Sequence, residues 1–142
     1  MQTYEYQLGR VFMGNVDHDA DLLHAIENFM QEKGIKTAQV RVIGAVKTAV
    51  VAFYDQDKQL YIDDTFDQQL EIMSCIGNIS LREGKPVGHL HVVFSDENGE
   101  TLAGHLRPGT IVFSGEIFVQ ELLGPELHRG FNPLTGLPSW MM

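Results

Sequence analysis

The sequence predicts an α+β fold: a mostly antiparallel β-sheet with one main helix. Three observations support this prediction. Residues 20–33 alone carry apolar side chains at helical spacing, while seven or eight other segments alternate in polarity or are rich in β-branched and aromatic residues. The chain has 142 residues, enough for one domain with a core of its own. Its 44% apolar and 20% charged residues are an ordinary balance for a globular protein. One helix among many strands favours the α+β class.

The first half of the chain is predicted to hold the helix and four strands. Residues 4–12 form the first predicted strand, and the helix follows at residues 20–33. Asp17 or Asp19 can cap the start of this helix, and Gly34 suits the left-handed position at its end. Three β-rich segments come next, the first two of them separated by a Gly-Ala pair: residues 37–43, 47–54 and 59–64.

The second half is predicted to be strand up to its last nineteen or so residues. Residues 66–85 alternate in polarity, a hairpin follows at residues 88–106, and residues 110–122 form a last long strand. Residues 124–142 are rich in Pro and Gly and are predicted to be a surface-wrapping tail of a single domain, residues 1–142. Burial of four large apolar side chains would fix the tail: Leu127, Phe131, Leu137 and Trp140.

The hairpin at residues 88–106 contains three of the six histidines, His89, His91 and His105. A two-residue loop would mix its apolar and polar faces. A three-residue loop with Gly99 in the left-handed position gathers nearly all the large aliphatic groups on one face. In that register His91 lies directly opposite His105, and His89 shares their face because residues two apart on a strand point the same way. The sequence therefore predicts three imidazoles on one face of a hairpin.

Three imidazoles on one strand face suggest a site for a divalent metal. Directly opposed strand residues have Cβ atoms about 4.5–5.5 Å apart, and imidazole suits zinc, copper, iron and nickel. Three protein ligands with an open fourth position are typical of catalytic zinc sites. We therefore predict that His89, His91 and His105 are metal ligands and that the metal is zinc. The alternative is that they are polar residues on a solvated or subunit-facing surface.

Two residues of the segment 66–85 are candidates for chemistry beside such a metal. Glu71 lies among apolar residues and is the candidate general base for a metal-bound water, whose pKa a metal lowers toward about 7. The alternative for Glu71 is a strand carboxylate paired with Lys or Arg. Asn78 is the candidate contact to a small-molecule ligand, or else a residue that shapes a β-bulge.

The composition narrows the classes of partner. The net charge is −9 and no basic cluster is present, which argues against direct DNA binding because that binding depends on Lys and Arg neutralising phosphates. Neither a signal peptide nor a membrane span is apparent, so no membrane partner is expected. The one cysteine, Cys75, excludes an intrachain disulfide and favours a cytoplasmic location; in its apolar strand it is expected to be a buried thiol.

Five phrases occur in a specific order and spacing: DLLHAIENFMQEKGI, RVIGAV, FDQQLEIMSCIGNIS, GHLHVVFSDENGETLAGHL and GPELHRGFNPLTGL. On these phrases the chain resembles the plants-and-prokaryotes-conserved (PPC or PCC) domain family over nearly its whole length. The resemblance implies an α+β fold that assembles as a homotrimer. It also implies a metal site shared by His89, His91 and His105. Ala103 stands where the family's Gly-Gly-His phrase has its first glycine, which leaves the histidine in place.

The resemblance leaves the biochemical role open. The family is commonly labelled DNA-binding because its plant members join this domain to AT-hooks, and this sequence has no Arg-Gly-Arg core of an AT-hook. One hypothesis is a small trimeric metal-binding protein, and an enzyme if the metal keeps a reactive water. The second is a DNA-associated or regulatory protein that acts through assembly with other proteins. The third is a structural trimer without a ligand.

Overall fold

The structure, a computed structural model that describes residues 1–142, is a nine-stranded β-sheet with one helix. All strand pairings are antiparallel except one parallel bridge near the end of the chain. The α+β prediction is therefore confirmed. The elements in chain order are β1 (Gln7–Val16), α1 (Leu22–Lys33), β2 (Ala38–Asp55), β3 (Leu60–Phe66), β4 (Leu70–Arg82), β5 (Lys85–Ser95), β6 (Thr101–Leu106), β7 (Ile111–Leu123), β8 (His128–Asn132) and β9 (Leu137–Met141).

The sheet is organised around β2, which pairs with β3, β4, β6 and β7. We expected two strands here, but β2 is one strand of 18 residues. The Gly44-Ala45 pair bends the strand instead of ending it, because the pairing register with β4 shifts between Val42 and Gly44. Gly44 has a φ of 142°, and a Cβ at this position would lie 2.2 Å from the carbonyl oxygen of Ser114. Glycine is therefore required where the strand bends.

Helix α1 covers one face of the sheet. Its buried side chains, Leu22, Leu23, Ile26 and Met30, repeat at helical spacing and join a core of 22 buried residues. Three alternate residues of β5 enter the same core from the sheet side: Leu90, Val92 and Phe94. The helix is too short and too polar to cross a membrane.

The two ends of α1 are fixed by local capping. Asp21 is the N-cap residue, and its Oδ1 accepts a hydrogen bond of 3.1 Å from the backbone N–H of His24. The prediction that Asp17 or Asp19 caps the helix was wrong, because the helix begins two residues later than expected. Gly34 ends the helix in the left-handed conformation, with a φ of 66°, as predicted.

The last nineteen residues contain two strands that the sequence did not predict. They form an antiparallel hairpin of β8 and β9, which joins the edge of β4 through a parallel bridge between Leu81 and His128. Leu127 is buried as predicted, whereas Phe131 and Trp140 remain 71% and 42% exposed. Burial of Leu127 and edge pairing therefore hold this tail hairpin in place. Its position beside β4 brings it next to the histidines.

Candidate metal centre

The hairpin of β5 and β6 has the register that the sequence predicted. His91 pairs with His105, Val92 with Gly104, and Phe94 with Leu102. In the connecting loop Gly99 has a φ of 81°, and its backbone N–H donates to the carbonyl oxygen of Asp96 over 3.1 Å. The apolar side chains of β5 therefore face the helix. The histidines lie on the opposite face of the sheet, which the helix does not cover.

His89, His91 and His105 form one cluster. Each can place a ring nitrogen so that the three lie within 4.8 Å of one another. Nε2 of His89 is 3.1 Å from Nδ1 of His105, and the ring centroids of His91 and His105 are 4.4 Å apart. Nitrogens bound to one tetrahedral zinc at about 2.0–2.1 Å would lie about 3.3 Å apart. The three ring nitrogens are therefore close enough together for a single metal ion.

Burial favours the neutral imidazole at two of the three histidines, His89 and His105. Burial lowers the pKa of His89 to about 4, with smaller contributions from the charges of Arg129, His105 and His91. Burial also lowers the pKa of His105. No carboxylate is paired with any of these three, whereas His18, His24 and His128 each lie near one. A metal needs a neutral imidazole with a free lone pair, and burial favours that neutral form at His89 and His105.

Close strand packing holds the cluster's backbone in place. A Cβ at Gly77 of β4 would lie 2.1 Å from the carbonyl oxygen of His89, so only glycine permits the observed approach of β4 to β5. His105 is fixed from the other side, because it pairs with Ala52 of β2. The ring of Tyr61 from β3 packs edge-on against the ring of His105, with centroids 5.1 Å apart. Five strands, β2 to β6, therefore position the site.

A cavity of about 680 Å³ adjoins His89 and His105. Helix α1 borders it with Glu27, β3 with Tyr61, and the tail hairpin with Arg129 and Trp140. Its size is within the range of small-molecule sites. Oε1 of Glu27 accepts a hydrogen bond of 2.9 Å from the backbone N–H of Gly88, which ties the helix to β5 beside the cavity.

Asn78 lies at the cluster. It is directly opposite His89 in the pairing of β4 with β5, and it lines the cavity. Its Oδ1 accepts a hydrogen bond of 2.7 Å from Nη2 of Arg129. Sequence reasoning missed Arg129, because nothing local in the tail shows which edge of the sheet the tail joins. The only available signal was a lone arginine in a segment otherwise short of positive charge.

Glu71 is not brought to the histidines within one chain. It pairs with Ser95, four residues beyond His91 along β5, which corresponds to about 13 Å. Its side chain is exposed and lines a separate depression together with Asp96 and Glu97. A general base must come within hydrogen-bond reach of the proton that it removes. This placement therefore gives no support to Glu71 as the base, and no Lys or Arg pairs with it either.

The chain matches one family model and several solved structures. Residues 3–123 match the sequence model of the Plants and Prokaryotes Conserved (PCC) domain. A metal-containing protein of Archaeoglobus fulgidus is 39% identical, with a TM-score of 0.96 over 100% of both chains. A plant- and prokaryote-conserved protein of Pyrococcus horikoshii is 35% identical, with a TM-score of 0.94 over 100% of this chain and 98% of its own.

Two further matches are more distant. A proposed DNA-binding protein of Bacteroides thetaiotaomicron is 29% identical, with a TM-score of 0.85 over 96% of both chains. The Bifunctional protein GlmU of a Synechococcus strain is 29% identical over 119 residues. That match covers 82% of the present chain but 18% of the Synechococcus protein, so the chain spans less than a fifth of that relative.

Proposed function

The chain belongs to the Plants and Prokaryotes Conserved domain family, and from that premise we propose that it is a small cytoplasmic homotrimer that binds a divalent metal, zinc, through His89, His91 and His105. The observation that carries this proposal is the cluster of three ring nitrogens within 4.8 Å of one another. None of the three forms an ion pair with a carboxylate, which would favour the charged imidazolium that cannot bind a metal, and this adds support.

The relative from Archaeoglobus fulgidus supports the proposal. That protein is metal-containing, and it matches the present chain over its full length at 39% identity. Zinc is the proposed metal because it accepts imidazole nitrogen and forms sites with three protein ligands and one open position. When bound, such a metal supplies a Lewis acid or an activated water. In this chain the three histidines would hold it, and Asn78 would contact a small ligand in the adjoining cavity.

The homotrimer is proposed from family membership and from exposed apolar surface. Ile76 is directly opposite His91, and Val93 follows His91 on the same face of β5. These two side chains are 45% and 38% exposed on the face that the helix does not cover. Burying such a surface contributes about 25 cal/mol per Å², which favours association. A neighbouring subunit on this face would also reach the exposed His91.

A second candidate function is a DNA-associated or regulatory role through assembly with other proteins. The relative from Bacteroides thetaiotaomicron, a proposed DNA-binding protein, is the observation that favours it. The net charge of −9 makes direct phosphate contacts unfavourable, so this role would require a partner that binds the DNA.

Metal analysis of protein purified without an affinity tag tests the first proposal. We expect about one zinc per chain in the wild type and in His24→Ala, because His24 lies on the exposed side of α1. His105→Ala leaves two ligands and should lose most of the metal while the protein remains folded. Equal metal content in all three proteins, or none in any of them, would reject the three-histidine site.

A further inference from the structure

We propose that Arg129 forms an oxyanion subsite beside the metal centre, which binds the carboxylate or phosphate group of a small molecule in the adjoining cavity. This inference rests on the proposed function, because it assigns the chemical class of ligand that the same site takes. It adds a binding residue from the tail hairpin, which lies beyond the residues 3–123 that define the family match.

The contacts of Arg129 are all with neutral groups. Its Nε donates to Oγ of Ser80 over 2.8 Å, Nη1 to the carbonyl oxygen of Pro138 over 3.2 Å, and Nη2 to Oδ1 of Asn78 over 2.7 Å. The guanidinium also lies over the ring of Trp140, 5.4 Å from its centroid. A guanidinium has five N–H donors, so two remain for a ligand. Its orientation is already fixed, but its positive charge is not neutralised.

The other arginines show that this arrangement is unusual in the chain. Arg10 forms a two-point ion pair with Glu121, through contacts of 2.6 and 2.8 Å, and Arg107 binds Asp63 over 2.9 Å. Arg41 and Arg82 have no carboxylate partner, but both are exposed and water can screen their charge. Arg129 alone combines partial burial with the absence of an anion. A partly buried charge normally needs a counter-ion, and planar guanidinium suits a carboxylate or phosphate.

The position of Arg129 connects the subsite to the histidines. Asn78, which accepts a hydrogen bond from Arg129, is directly opposite His89, and both Arg129 and His89 line the same cavity. Arg82, Arg107 and Arg129 line the cavity, and only Arg107 is paired with a carboxylate, that of Asp63. The single carboxylate of the lining, Glu27, accepts from a backbone N–H. In a chain of net charge −9 this cavity therefore collects positive charge. A small acid could reach Arg129 and the metal together.

Nuclear magnetic resonance titration of the full zinc-loaded chain tests this proposal. The probes are lactate, its uncharged amide lactamide, and inorganic phosphate. We expect lactate or phosphate to shift the side-chain amide resonances of Asn78 in a saturable way, and lactamide to bind at least about tenfold more weakly because it lacks the charge. Stronger binding of lactate than of phosphate would identify a carboxylate subsite, and the reverse order a phosphate subsite.

Two variants separate the subsite from nonspecific charge effects. Arg129→Gln should weaken binding of the preferred anion by about tenfold or more. Arg41→Gln removes the same charge outside the cavity and should change binding by less than about twofold. The comparison of lactate with lactamide in the wild type does not depend on how any variant folds. Equal binding of lactate and lactamide would overturn the subsite. So would anion binding that leaves the side-chain amide resonances of Asn78 unshifted.

Metal content is measured on the same samples, so the two proposals fail separately. If the protein takes up no zinc, the metal site is rejected. If that same protein binds an anion through Arg129, the subsite is supported independently. Zinc-loaded protein whose anion binding is unchanged by Arg129→Gln would keep the metal site and overturn the subsite.

Discussion

Nε2 of His89 and Nδ1 of His105 lie 3.1 Å apart, so one of these imidazoles donates a hydrogen bond to the other. The two rings are nearly parallel, with an interplanar angle of 15°. A tetrahedral metal would separate the same nitrogens to about 3.3 Å, which is a small change. The hydrogen bond therefore keeps two of the proposed ligands close to the geometry that a metal requires, and a metal would replace the shared proton.

The stability of the metal-free protein should fall in mild acid. The pKa of His89 is about 4 in the folded protein and about 6.5 in an unfolded chain. Between these values the unfolded chain binds more protons, so the free energy of unfolding decreases as pH falls from 6.5 toward 4 and is fully retained above 6.5. Because His89 is only partly buried, solvent screening limits the loss to on the order of 1 kcal/mol.

Urea unfolding of metal-free protein at pH 7 and pH 4.5 measures this effect. The control is His89→Asn, which removes the titrating group and should show a smaller difference between the two pH values. An equal difference in wild type and variant would mean that His89 titrates normally in the folded protein.

Gly77→Ala should destabilise the fold and disturb the histidine cluster. The added Cβ would lie 2.1 Å from the carbonyl oxygen of His89, so β4 and β5 must separate. We expect the free energy of unfolding to fall by at least about 2 kcal/mol, together with a loss of metal affinity. Gly14→Ala is the matched control, because nothing lies within 4 Å of a Cβ at that strand position. Equal denaturation midpoints for the two variants would contradict the close approach.

The protein should be a trimer in solution. Light scattering is expected to give three times the chain mass of 15.9 kDa at micromolar concentration. Ile76→Asp places a charge on the histidine face and should lower this mass. The control is Leu134→Asp, which changes a side chain that is 87% exposed in the turn of the tail hairpin and should leave the mass unchanged. A monomer mass for the wild type would refute the trimer.

The chain alone should not bind DNA tightly. At physiological salt we expect a dissociation constant for mixed-sequence duplex no lower than roughly 10⁻⁴ M, since the net charge of −9 opposes phosphate contacts. Fluorescence anisotropy of a labelled duplex measures it. Sub-micromolar binding that weakens steeply with added salt would reveal a basic surface that the charge argument overlooks.

The sequence predicted the histidine cluster because the information is local. Alternating polarity and the left-handed Gly99 fix the register of β5 with β6, and that register places His91 opposite His105. The fold class could also be predicted from the sequence, since it depends only on which segments are helix and which are strand. The continuity of β2 could not be predicted, because the effect of Gly44 depends on how closely β7 packs against it.

The rest of the site depends on contacts distant in sequence. Glu71 was correctly placed in a strand, but its distance from the histidines follows from the pairing of β4 with β5. Arg129 reaches the cavity only because the tail hairpin joins β4 at a single bridge, Leu81 to His128. No pattern of polarity in the tail specifies that edge.

The spacing of the histidines also has a consequence for folding. The two outer ligands, His89 and His105, are only 16 positions apart in the chain. A metal joining them would close a short loop, and the chain entropy removed from the unfolded state grows with the logarithm of loop length. The strands brought together from far apart, such as β2 and β7, lie outside that loop. A bound metal should therefore stabilise mainly the β5–β6 hairpin. The slow pairing of the distant strands should proceed at a similar rate without the metal.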